Sequence, residues 1–170
     1  IYHEYKLRID DAQAVSDATI RARREILALA AGLAKLGGPW KGFRVAATAE
    51  QIGHRDARRI HGRYTVTRDD VTAGAKFPDA VTTSYFGIDI HGLDKKSNNV
   101  RAAGQNHGVK FRPFQIPLRA CRARDADNLF MAGRNISGDF YAHASYRVTG
   151  SSVAIGEAVG KAAAAEATKR

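Results

Sequence analysis

The chain has 170 residues, of which 27 are Lys or Arg and 17 are Asp or Glu, giving a formal net charge of +10. Hydrophobic residues make up 44% and charged residues 26%, a globular composition that excludes collagen-like, coiled-coil and disordered chains. The lone Cys121 excludes an internal disulfide framework and a Cys-cluster metal site, and no uncharged apolar run approaches the about 18 residues a membrane span needs.

In chain order, Tyr2, Tyr5, Leu7 and Ile9 alternate and predict a short strand within residues 1–10. A helix follows, capped by Ser16 or Asp17, with Ile20, Leu27, Ala30, Ala31 and Ala34 recurring at helical spacing. Gly37-Gly38-Pro39 stops it, because Gly accepts a left-handed cap and Pro cannot continue the turn. Phe43 to Thr48 has strand character, and Arg59 to Thr67 alternates, with Ile60, Tyr64 and Val66 on one parity. Asp69 is expected to cap a short helical turn. Val81 to Ile90 reads as one or two strands broken at Gly87, and residues 92–110 as a mobile loop rich in Gly, Asn and Lys.

Phe114 to Cys121 is a further strand, confined to an edge or a strand end by Pro113 and Pro117. Asn128 to Ala132 predicts a short apolar strand ending at Gly133. A last helix starts near Gly150-Ser151-Ser152 and runs through Val153, Ile155, Ala158, Val159 and Ala162. No internal repeat is present. The order indicates an α/β or α+β fold whose final strand and helix need a sheet to join.

The basic residues are spread along the chain, with no run of five or six like charges and no nucleic-acid-binding signature, so nucleic acid is an unlikely partner. The charge fits a solvated basic face, a face that meets an acidic partner, or a local field that favours a pyrophosphate. No basic segment followed by an apolar one opens the chain, so no signal peptide is expected and the cytoplasm is the expected location. Because residue 1 is Ile rather than Met, the chain is expected to be processed or part of something longer.

The most informative stretch is Asp127 to Arg134 followed by His143 to Val153. An apolar strand ends in Gly133, where the missing Cβ lets a ligand approach the backbone. Gly150-Ser151-Ser152 then opens a helix whose first N–H groups lack internal partners and carry the positive end of the dipole. Such an end is a seat for negative charge. Spacing alone favours the plainer alternative, a buried terminal helix packed on a sheet, with Gly156 and Gly160 serving close packing. Cys121 reads as a small buried apolar residue. His3, His54 and His107 show no metal-ligand spacing, so no metal is expected.

These pieces, taken in order, resemble the C-terminal part of a large family of bacterial FAD-dependent oxidoreductases related to the glutathione-reductase and fumarate-reductase flavoproteins. The resemblance rests on Ser16 to Leu29, Gly53 to Tyr64 with Thr67, Asp70 and Val71, Phe77 to Ala80, Ile88 to His91, Pro113 to Pro117, and Asn128 to Ala163. It implies FAD as cofactor and hydride transfer between a small organic substrate and the flavin. The strand–G-x-G-x-x-G–helix unit that grips the pyrophosphate in such enzymes does not occur in these residues. The implied arrangement is therefore one piece of a two-piece flavoenzyme, whose other half comes from a second polypeptide or a cleaved segment. Residues 1–124 would form a strand-rich, substrate-facing cap region. Residues 125–170 would supply the strand and helix that complete a Rossmann-like FAD domain.

The resemblance also implies site residues. Gly133, Arg134 and Ile136 would lie beside the ribityl and ring region of FAD, with Arg134 meeting phosphate or an acidic group of the partner. Gly150, Ser151, Ser152 and Val153 would lie beneath the flavin pyrimidine. His143 and Arg147, four apart, would engage substrate, His as a proton donor or acceptor and Arg by holding an oxyanion with two N–H bonds. On its local pattern, a His and an Asp at a strand end before a loop, His91 with Asp89 is expected on the substrate side. A packing role for His143 and a backbone-bonded turn role for His91 remain open on the residues alone. The rival function is a non-enzymatic basic scaffold subunit that contacts nucleic acid or an acidic partner.

Overall fold

The computed structural model describes residues 4–56, 58–91 and 106–168. It divides into two compact units, one containing the residues up to His54 and the other containing Arg55–His91 with the residues from 106 onward.

The first unit is built on α1, Ala12–Lys35. Asp11 caps it, its carboxylate accepting from the N–H groups of Gln13 (3.0 Å) and Ala14 (3.1 Å). Ser16 and Asp17 therefore lie inside the helix, where Ser16 Oγ donates to the Ala12 carbonyl and Asp17 accepts from Gln13. The stop is where the glycines place it: Leu36 is the C-cap, Gly37 and Gly38 take φ of 67° and 53°, and a 3-10 turn spans Gly38–Trp40. The helical spacing holds, but the buried side is Ala18, Ala22 and Ala30, while Ile20 and Leu27 are 49% and 57% exposed. Residues 4–10 are not a strand, because Lys6 has φ of 56° and breaks the extended run. Phe43 to Thr48 is not one either: it has no strand partner among the described residues.

The second unit holds α2 (Arg68–Ala73), β1 (Ala80–Ser84), β2 (Phe114–Pro117), α3 (Phe140–Tyr146) and α4 (Thr149–Ala167). This mixture of helix and strand is α+β. The cap of α2 is Thr67 rather than Asp69. Thr67 Oγ1 accepts from the Asp70 N–H (3.3 Å) and Asp70 Oδ2 accepts from the Thr67 N–H (2.8 Å), a reciprocal capping box. The antiparallel pair β1–β2 sets Ser84 opposite Phe114 and Thr82 opposite Ile116. β2 ends at Pro117, and Leu118–Ala120 turns as a 3-10 helix, so the strand expected through Cys121 is half as long. β1 stops at Ser84 and does not resume as a strand beyond Gly87. Of the loop expected over 92–110, only 106–110 fall among the described residues.

Residues 59–67 and 128–132 form no strands. Residues 60–66 are instead laced singly to two neighbours. On one side the N–H groups of Arg63, Tyr64 and Arg124 reach the carbonyls of Arg122, Arg119 and His61. On the other, those of Ile60, Val66 and Asp139 reach Asn135, Ser137 and Val66. Gly62 sits at the crossing, where an added Cβ would lie 2.6 Å from Ser137 Cβ and 3.0 Å from the Ala120 carbonyl. Only glycine fits there, and the pairing around it is limited to isolated bridges such as Gly62–Ala123 and Arg122–Phe130. The core under this layer contains Val66, Val71, Phe114, Ile116, Ile136, Tyr146 and Ile155. Onto it pack α4, which touches β1 and the turn Gly133–Asn135, and α3, which touches α2 and the same turn. Among the described residues no helix is long and apolar enough to cross a membrane.

Candidate functional site

Two groups of predicted residues come together in the second unit. The first joins the turn Gly133–Asn135 to the start of α4. Gly133 is buried with φ of 80°, and an added Cβ would sit 3.4 Å from Ser152 Oγ. The turn therefore presses on the first turns of the helix at a residue that pays little for a left-handed backbone.

Helix α4 starts one residue before the predicted position. Its N-cap is Val148, which offers no side-chain acceptor, and its first turn holds no acidic residue. Thr149, Gly150 and Ser151 thus carry N–H groups with no acceptor inside the helix. Ser152 does not share this state. Its N–H donates to the Val148 carbonyl at 3.0 Å and its Oγ to the same carbonyl at 3.1 Å. Gly150 is exposed, Ser151 half-buried, and Val153 exposed. Ile136 is buried in the core, and its carbonyl accepts from the Tyr146 hydroxyl. Arg134 is exposed. An uncapped helix start beside a glycine in the left-handed region can seat negative charge.

The second group is a charged cluster around α3, which Asp139 caps by accepting from the Ala142 N–H at 2.8 Å. His143, 1% exposed, has Nδ1 3.7 Å from Asp56 and an Nε2 that is buried without a hydrogen bond. Burial pushes its pKa down to about 4. Asp56 and the Arg134 backbone oppose that shift, and Arg59 and Arg147 add to it. His143 is therefore neutral at neutral pH.

Arg147 is the C-cap of α3 and donates from Nη2 to the Asp89 carbonyl at 2.7 Å. Burial lowers its pKa, and neighbouring Arg55 lowers it further. The Asp89 carboxylate holds Arg55 at 3.3 Å and His91 Nε2 at 3.4 Å. The Asp89 N–H donates to the Ala144 carbonyl (3.2 Å), and Ser145 Oγ donates to the Phe86 carbonyl. Residues 84–89 are thereby fastened along α3. The three residues expected at the substrate, His143, Arg147 and His91, meet through α3 and Asp89.

Asp56 and Arg55 had no assigned role in the sequence, although they stand in the stretch Gly53 to Tyr64. Their only signal was an Arg-Asp pair beside further basic residues, which spacing cannot connect to a helix some ninety residues later. Arg59 donates to the Asp139 carbonyl, just before α3, at 3.0 Å. Cys121 is buried, and burial pushes its thiol up to about 12, which leaves it protonated. No group of His, Cys, Asp and Glu among the described residues could hold a metal ion. In comparisons with known proteins, a family model described as FAD dependent oxidoreductase matches residues 2–170. No curated protein and no solved structure matches the chain.

Proposed function

The chain belongs to the FAD dependent oxidoreductase family, and from that premise we propose that it forms part of an enzyme that moves hydride between a small organic substrate and FAD. The observation that carries this reading is the bare first turn of α4 against Gly133. Gly133, Gly150 and Ser151 would hold the ring end of the cofactor, with Arg134, Ile136, Ser152 and Val153 around them. FAD, when bound, supplies the electron-pair chemistry. The chain's own residues bind, orient and handle protons. Arg147, anchored on the Asp89 carbonyl, orients an anionic group of the substrate. His143, neutral above about pH 4, takes a proton at its ring. His91 stands on Asp89 at the same site.

The Gly-rich grip on the pyrophosphate comes, in this reading, from a second polypeptide or a cleaved segment. Residues 125–170 complete a Rossmann-like FAD domain, and residues 1–124 face the substrate. The helix start favours reduced, anionic flavin by about 0.3–1 kcal/mol.

Ser151→Pro tests the site, because proline removes one unpartnered N–H without breaking a bond inside the helix. The expected result is a lower FAD content and a flavin potential about 6–20 mV more negative, the equivalent of that stabilisation. A variant with unchanged FAD content and unchanged potential would sink the assignment.

A further inference from the structure

Tyr146 has no part in the chemistry above, yet it touches both halves of the site. It is fully buried at the end of α3, three residues after His143. Its hydroxyl donates to the Ile136 carbonyl at 3.1 Å, in the chain that leaves the Gly133 turn. Its ring stands edge-on to His143, with centroids 5.5 Å apart and 87° between planes. The same ring fills the space above Gly138, where an added Cβ would lie 2.6 Å from the hydroxyl oxygen and 2.7 Å from Cε1. Burial raises the phenol pKa, opposed by Arg59 and aided by Asp139, so the hydroxyl stays protonated and acts as a donor. One side chain thus ties the backbone of the cofactor-side turn to the helix that carries the substrate-side histidine.

We propose that Tyr146 is a positioning residue that fixes the chain from Gly133 to Gly138 and the His143 ring in one frame, and so sets how FAD is held relative to His143. The proposal rests on the reading that places FAD against Gly133 and α4.

The test is Tyr146→Phe in the FAD-loaded protein, with any co-purifying chain retained. Phenylalanine keeps the ring over Gly138 and against His143 and removes only the bond to Ile136. The FAD dissociation constant should rise roughly tenfold, because binding must then order a turn that the bond to Ile136 no longer holds in place. Tyr64→Phe is the comparator, because it removes a similar hydroxyl bond (Tyr64 to Asp70, 2.9 Å) from the α2 capping box. It should lower the melting temperature and leave FAD affinity alone. Gly138→Ala, which wedges the Tyr146 ring outward while keeping its hydroxyl, is the second variant and should weaken FAD in the same way. If Tyr146→Phe and Gly138→Ala bind FAD as the parent does, the proposal fails while the site reading stands. If the parent assembly binds no FAD, the site reading fails and the proposal falls with it.

Discussion

Gly133 and His143 each carry a consequence that a single substitution exposes. At φ of 80°, any side chain at position 133 is strained, while its Cβ would meet Ser152 only at ordinary contact distance, 3.4 Å. Gly133→Ala should destabilise the protein by roughly 1–3 kcal/mol. Melting with and without added FAD separates the two effects: the stabilisation by FAD should shrink as well as the base melting temperature.

His143 makes stability depend on acid. Its ring is held neutral by burial, with a pKa of about 4 in the folded chain against 6.5 for the free side chain. Between these values the unfolded chain binds the proton and the folded one does not. Stability is therefore full above about pH 6.5 and falls as the pH drops toward 4, by on the order of 3 kcal/mol in total. Chemical denaturation from pH 7 to 4 should show this decline, and His143→Gln should flatten it over that window.

At the scale of elements, α3 carries His143 and is an α-helix among the described residues that the sequence hid. Its seven residues include five buried ones in succession, Ala142 to Tyr146, so no polar face marks a helical period. The surviving signal was Asp139, a capping residue just before it. The two long helices were legible because their periodicity outlasts local noise, although Asp11 and Val148 rather than the expected residues begin them. The strands were least legible. Alternation at 59–67 reported burial of Val66 correctly, but the backbone there bonds singly to two neighbours and forms no ladder.

Asp139 also accepts from the Arg68 N–H at 2.6 Å, so one carboxylate serves the starts of α3 and α2. Asp139→Ala should cost about 1–2 kcal/mol in urea unfolding. Because α3 carries His143 and Arg147, the loss should be accompanied by changed imidazole signals from His143.

Across the whole molecule, membership of the FAD dependent oxidoreductase family was legible from the ordered succession of short motifs, and the match over residues 2–170 agrees at that level. The charged cluster was legible only in part. His143 and Arg147 follow from the family resemblance and His91 from its place beside Asp89, whereas Asp56 reaches His143 through folding that no local spacing records. The proposed division of the cofactor site predicts that yellow, FAD-containing material holds a second chain or segment bearing a Gly-rich turn. Intact-mass analysis checks this, and flavin bound stoichiometrically to the 18.4 kDa chain alone would overturn it.

The crossing at Gly62 bears on how quickly the fold assembles. Residues near 62, 120 and 137 must arrive together before any of them gains a full set of neighbours, and each arrival closes a long loop at an entropic loss. Local helices can form early, but this junction cannot nucleate from adjacent sequence. Refolding of the second unit should accordingly be slow compared with helical bundles of its size, and its transition state should already contain the knot of backbone around residue 62.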